Sequence, residues 1–207
     1  MPEALEFQFT ALRELRPGPA WTAWCARVGP AYERWYFAQG DAARPTYLAC
    51  DTAMRTHMPE LVPLWQELVA LAGGTDRAGR MLSLYCPPPY MAGCSQLLWT
   101  RGEPALVRNY DYGPDRCEGL MLSSTWLQTP VIASVDSLWG ALDGMNASGL
   151  AACLAFGGRS VVGVGFGIPL ILRYVLETCK TTAEAVSALM RLPSHMSYTV
   201  SVIDRAS

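Results

Sequence analysis

A cysteine directly behind a glycine, in the run PPPYMAGCSQ (residues 87–96), is the first place where this chain could do chemistry. Three prolines and a glycine suspend regular structure ahead of Cys94. Gly93 has no Cβ, so a neighbouring atom can approach its carbonyl closely. The Cys94 sulfur lies one residue from that carbonyl, and its attack would convert the Gly93–Cys94 peptide into a thioester. Water would then release Cys94 as a new N-terminus. The product carries its own base, because a free α-amine has a pKa of about 7.7–8.0 and sits a few bonds from the sulfur. N-terminal threonine uses the same arrangement. It needs no histidine, and this chain has only His57 and His195.

Something must hold the thiol. VRNYDY (107–112) supplies Arg108 and Asp111, with Asn109 between them. CSQLLWT and ALVRNYD, joined by a turn at RGEP, predict a hairpin that returns these residues toward Cys94. Arg108 would favour a thiolate and a developing oxyanion, and Asp111 would accept a hydrogen bond from the α-ammonium or the thiol. An ordinary ion pair at a strand end has the same spacing. Asn109, Tyr112 and Trp139 are candidate substrate contacts, the aromatics as walls of an acyl pocket, whereas Trp126 reads as core. His195 reads as an ordinary residue before the last strand. The remaining thiols, Cys25, Cys50, Cys86, Cys117, Cys153 and Cys179, form no C-x-x-C and read as small core hydrophobes.

The elements that must position these groups change character near Gly93. Residues 1–93 are Trp-, Ala- and Leu-rich with helical spacing: WTAWCARVGPAYERWYF, then MPELVPLWQELVALAGG with an apolar stripe of Leu61, Leu64, Trp65, Leu68 and Leu71. The charges of MPEALEFQFTALREL also recur at helical spacing. Residues 94–207 turn to short strands: the hairpin, GLMLSSTWL, PVIASVD and GLAACLAF. Two helices follow, about 169–179 and 182–192, the second capped by Thr181 or Thr182 with Glu184 in its first turn, and then a final strand, SYTVSVID. The expected class is α+β, with sheets covered by helices.

Composition narrows the partners. The chain has 207 residues, 51% hydrophobic and 16% charged, with a net charge of −2. It is long enough for a substantial core and too neutral to offer nucleic acid or an anionic membrane an electrostatic footprint. The N-terminus lacks a basic start and an apolar run, so a cytoplasmic protein acting on a small molecule is expected. A homo-oligomer is left open. GVGFG (163–167) lacks dinucleotide-loop spacing and reads as a bend before a helix. Asn146-Ala147-Ser148 is a formal glycosylation sequon without a secretion signal. The acids Asp111, Asp115, Glu118, Asp136 and Asp143 could supply a glycosidase pair, but most acids are simply solvated.

Taken in order, GCSQ (93–96), RNYD (108–111), DGMNASGLA (143–151) and GIPLILRYVLETC (167–179) followed by TAEAV resemble the peptidase C45 family. These are autoproteolytic acyltransferases and hydrolases related to acyl-coenzyme A:6-aminopenicillanic acid acyltransferase. The resemblance runs from about Tyr90 to Asp204. It implies an N-terminal-nucleophile hydrolase with a four-layer αββα sandwich, matured by cleavage between Gly93 and Cys94 into a helical segment (1–93) and a core (94–207). Cys94 takes the nucleophile position, and Arg108 and Asp111 match the conserved pair beside it. The oxyanion hole falls on the backbone amide of about Phe156, and Thr199 stands where relatives usually carry a donating asparagine. The implied substrate is a small acyl amide or thioester, acyl-CoA among them, with no metal or organic cofactor. Relatives continue with further strands, so a C-terminally incomplete chain is expected. The competing expectation is an inert binding or scaffold descendant.

Overall fold

The computed structural model describes residues 7–90, 93–111, 113 and 117–206. The chain runs β1 (Thr10–Glu14), α1 (Pro19–Tyr36), α2 (Tyr47–His57), α3 (Val62–Leu71), α4 (Asp76–Leu82), then the hairpin strands β2 (Cys94–Trp99) and β3 (Ala105–Tyr110). It continues through β4 (Leu120–Ser124), β5 (Val131–Asp136), β6 (Gly140–Asn146), β7 (Ala151–Phe156), α5 (Ile168–Thr178), α6 (Thr182–Arg191) and β8 (Tyr198–Ile203). Helical spacing before Gly93 and alternation after it thus become helices and strands. Of the α3 stripe, Leu61, Leu64, Trp65 and Leu68 are buried. The Thr181 hydroxyl caps α6 by accepting from the Glu184 amide.

The opening segment departs from its helical charge spacing. Residues 10–14 form a strand that pairs parallel with β4 at the edge of the main sheet. Its side chains alternate, half-buried at Thr10, Leu12 and Glu14 and exposed at Ala11 and Arg13, and ladder pairing to β4 outweighs a weak local preference. The Glu14 carboxylate then accepts from the Ala20 and Trp21 amides, 2.9 Å each. It supplies the anionic cap that Gly18 cannot give α1.

The main sheet has six strands in the order β1-β4-β5-β6-β7-β8, antiparallel except for the first pair. One face carries α5, which lies on β5, β6 and β7, and α6, which lies on β8. The hairpin covers β7 and β8 from the opposite face, since Cys153 reaches the hairpin while its neighbours Ala152 and Leu154 are fully buried. Strand β6, poor in strand formers and not expected from the sequence, is held by both neighbours and by α5. A Cβ on Gly144 would stand 2.6 Å from the Ile132 carbonyl oxygen, a backbone atom that cannot yield as the Leu176 Cδ1 at 2.9 Å can, so glycine is required where β5 and α5 close on this strand.

The ladder between β5 and β6 is irregular at one point. Ser134 pairs with Asp143 but Val135 with Ala141, leaving Leu142 as a bulge in β6. Beyond it β6 parts from β7, whose pairing stops at Asp143–Cys153. Leu154, Ala155 and Phe156 therefore have no β6 partner. No helix among the described residues is long and apolar enough to cross a membrane.

Helix α5 is anchored by Arg173, fully buried, whose Nε donates to the Trp139 carbonyl at 2.8 Å and whose Nη1 meets Glu177 at 3.3 Å. Burial depresses the Arg173 pKa and raises that of Glu177, each partner opposing the shift of the other. Arg173→Met strands the Glu177 charge and should cost about 3–5 kcal/mol. Urea melts should show this loss, and an Arg173→Met, Glu177→Leu double variant should recover most of it.

Candidate active site

Hairpin register decides which side chains meet. Cys94 stands opposite Tyr110 and Gln96 opposite Arg108, and these four are half-buried while Ser95, Leu97, Val107 and Asn109 point outward and are exposed. Cys94 and Arg108 therefore share the inner face, against β7. Two-stranded hairpins are marginal alone, and Arg108 fastens this one to the sheet. Its Nη2 lies 2.6 Å from Cys94 Sγ, its Nη1 2.7 Å from Asp143 Oδ2, and its Nε donates to the Leu154 carbonyl at 2.9 Å. The side chain is only 4% exposed and stacks over the Tyr110 ring at 4.3 Å. The Leu154 carbonyl is accessible because β6 has bent away at Leu142. Guanidinium and bulge fit one another.

Burial pushes the Cys94 thiol pKa up, and the Arg108 charge and hydrogen bond only partly offset this. In the continuous chain the expected thiolate is therefore not favoured. Burial works against the Arg108 charge too, but Tyr110, Asp143 and Cys94 hold the guanidinium more firmly protonated. Neighbouring Cys153, whose Sγ meets Gln96 Oε1 at 2.9 Å, is raised by burial to about 11. It is the less reactive thiol of the two.

Asp111 enters differently from expectation. Its backbone N–H donates to the Gly93 carbonyl at 2.8 Å, while its carboxylate accepts from Asn109 Nδ2 at 2.7 Å. The carboxylate lies near enough to raise the Cys94 pKa, whereas its amide lowers it. The carbonyl that the thiol would attack is thus already polarised by a fixed donor.

The Phe156 amide is placed by ladder parity. Gly157 N–H bonds across to Ser197, so the Phe156 N–H points the other way, toward the gap left by β6. The Leu154 carbonyl that Arg108 takes opens on that same side. Thr199 pairs with Ala155 and is exposed. Two residues from Cys153 along the ladder, it shares the face that carries the hairpin.

Other expectations are redistributed. Asn109 lies on the outer hairpin face, away from the thiol. Trp139, expected as a pocket wall, is fully buried and donates to the Leu82 carbonyl at 2.9 Å, so it is core, because the positive-φ turn at Ser137 and Leu138 carries it inward. Tyr112 and Asp115 lie outside the described residues. Trp126 is buried as expected, and His195 is buried with a pKa lowered to about 4 by desolvation, unsuited to serve as a base near neutral pH. Among the described acids, Asp143 binds Arg108 and Tyr110, and Glu118 and Asp136 are bridged by the Tyr32 hydroxyl, 2.7 Å from each. Asp143 was missed as a site residue, although it opens the DGMN motif. A cleft of about 1170 Å³ beside the cluster is lined by Arg108, Tyr110, Asp143, Cys153, Ile132 and Met145 among others.

In the uncut chain, haloacetamide labelling of Cys94, read by peptide mass across a pH series, should show a midpoint above that of a free cysteine. Arg108→Met should move it higher still, since the compensating cation is lost.

No curated protein matches the chain. Among solved structures, penicillin V acylase from Agrobacterium tumefaciens is similar at 23% identity and a TM-score of 0.30, over 57% of this chain and 38% of the acylase chain. A protein-family model described as acyl-coenzyme A:6-aminopenicillanic acid acyl-transferase matches residues 99–207, which takes in Arg108, Asp111, Asp143, Phe156 and Thr199 and starts just after Cys94. Covering more than half of the sequence, that match identifies the chain as a member of the acyl-coenzyme A:6-aminopenicillanic acid acyl-transferase family.

Proposed function

We propose that the chain is an autoproteolytic N-terminal-nucleophile acyltransferase or amidohydrolase that works through Cys94. The observation that carries this is the pair of contacts around one peptide bond: Arg108 at 2.6 Å from the Cys94 sulfur and the Asp111 amide at 2.8 Å from the Gly93 carbonyl oxygen. Nucleophile and electrophile are each held by a separate donor. Family membership supports the reaction class. The six-stranded sheet, with helices on one face and the hairpin on the other, is compatible with the αββα sandwich, β2–β3 beginning its second β layer.

Self-cleavage begins when Cys94 Sγ bonds to the Gly93 carbonyl carbon and the thiol proton passes to the Cys94 nitrogen. The C–N bond breaks, leaving a thioester and a free α-amine. Water then adds to the thioester, giving the Gly93 carboxylate and the free thiol and dividing the chain into segments 1–93 and 94–207. The new ammonium beside the sulfur lowers a thiol pKa that burial had kept high.

In turnover the α-amine takes the thiol proton and the thiolate attacks an acyl carbonyl. The Phe156 amide, with the Thr199 hydroxyl, stabilises the oxyanion. The α-ammonium protonates the leaving amine or thiol, and a thioester to Cys94 remains. Water or an acceptor amine, deprotonated by the α-amine, takes the acyl group and returns the thiol. The substrate is a small acyl amide or thioester, with acyl-CoA in the second class. The cleft with its apolar Ile132 and Met145 suits an acyl chain, and Asp143 keeps Arg108 oriented.

Intact mass and N-terminal sequencing of the purified protein should reveal two pieces, one ending at Gly93 and one beginning at Cys94, and a single uncut chain for Cys94→Ala. A wild-type chain that stays whole on prolonged incubation, with Cys94 inert to thiol-directed acyl probes, would replace this proposal with the inert scaffold.

Because the thiol pKa is raised in the uncut chain, the cleavage rate should climb with pH through and beyond the ordinary cysteine range. Arg108→Met should slow cleavage at neutral pH and displace the rise upward, as a time course of band intensities would record.

A further inference from the structure

Tyr90 stands three residues before the scissile carbonyl, and it is held from several directions. Its hydroxyl donates to Asp136 Oδ2 at 2.9 Å. Its own carbonyl accepts from the Tyr198 hydroxyl, and its amide faces Met196 Sδ at 3.4 Å. Its ring meets Trp35 edge-on, centroids 6.3 Å apart.

Asp136 is itself fixed. It is 3% exposed and shares the Tyr32 hydroxyl with Glu118, which also accepts from Trp24 Nε1 at 2.5 Å and the Leu138 amide at 3.3 Å. Ser137 closes the ring, its amide donating to the Tyr32 hydroxyl at 3.0 Å. Desolvation raises both carboxyl pKa values, and the Asp136 charge raises that of Glu118 further. Two carboxyls this close and this dry favour retaining a proton between them. Tyr90 is thus bonded to a deeply buried network that joins α1 to the turn after β5.

The second anchor is the Gly93 carbonyl on the Asp111 amide. Only two residues lie between Tyr90 and Gly93, and a trans chain advances at most ~3.6 Å per residue. Releasing Tyr90 would leave the Asp111 amide as the carbonyl's remaining anchor of the two, and the carbonyl could pivot on that bond relative to a sulfur that Arg108 keeps in place.

We propose that Tyr90, clamped by Asp136 and Tyr198, is a positioning residue for self-cleavage that keeps the Gly93 carbonyl within reach of the Cys94 thiol. The inference rests on the proposal that this bond is cut. Its chemistry is the same step, with no group added: the clamp moves no proton and touches neither sulfur nor carbonyl carbon.

Cleavage time courses of the full chain, followed by intact mass at one pH, compare wild type with Tyr90→Phe, Tyr198→Phe and Leu68→Ala. Tyr90→Phe removes the hydroxyl that bonds Asp136, and Tyr198→Phe removes the bond to the Tyr90 carbonyl while leaving the Tyr90 side chain in place. Leu68→Ala opens a cavity on the buried face of α3, outside the Asp136–Glu118 network. Misplacing a reacting group by about 1 Å can cost 100-fold in rate, so each tyrosine variant should slow cleavage roughly tenfold or more. Leu68→Ala should lower the melting temperature at least as much yet cleave at the wild-type rate.

If wild type cleaves and both tyrosine variants match it, the clamp is refuted while the nucleophile assignment stands. Equal slowing by Leu68→Ala also refutes it, by reducing the effect to general loosening. An uncut wild type defeats the nucleophile assignment and the clamp with it. Should Tyr90→Phe fail to fold, Tyr198→Phe decides alone.

Discussion

A single buried guanidinium governs the geometry of this protein. Arg108 reaches a thiol, a carboxylate and a backbone carbonyl from three different strands, and each contact satisfies a donor that would be costly to bury alone. Removing the charge from water is tolerable only because the sheet leaves one carbonyl unpaired for it. That carbonyl exists because β6 bulges at Leu142 and parts from β7. The placement of the Cys94 sulfur, the strand irregularity and the hairpin docking are three views of one electrostatic requirement.

The site also shows how burial can hold a thiol in its neutral form. Burial disfavours the Cys94 thiolate, and Arg108 mitigates the cost without overturning it. A thiol kept neutral is less exposed to oxidation or adventitious alkylation. The aromatic and carboxyl network around Tyr32 is a counterpart on the N-terminal side of Gly93, where polar groups buried in α1 and the sheet satisfy one another and hold Tyr90.

Much of this was legible in the residues, for identifiable reasons. Helix α6 announced itself through Thr181 and Glu184, and the hairpin through two alternating runs around a Gly-Pro turn. Cys94 was found from the glycine and prolines that precede it, and Arg108 because antiparallel return across that turn brings its strand back toward the thiol. What stayed hidden depends on tertiary partners. Strand β1 ends an opening segment whose charges recur at helical spacing, and the neighbouring edge of β4 makes it a strand. Strand β6 has two glycines and an asparagine, poor strand formers locally, but Gly144 is required where α5 approaches. The pairing of Asp143 with Arg108 spans 35 residues, and no local pattern marks it. Trp139 was misjudged because proximity in sequence says nothing about which side of a sheet a side chain takes.

The edge strand β1 has a consequence of its own. It belongs to the segment before Gly93, yet it is hydrogen-bonded along its length to β4, which lies after it. Severing the backbone at Gly93 would leave one sheet composed of two polypeptides, so what had been unimolecular unfolding becomes dissociation. Persistence would then depend on protein concentration, and a denatured sample would have to reassemble by second-order encounter. Dilution, harmless to the uncut chain, would become a route to irreversible loss.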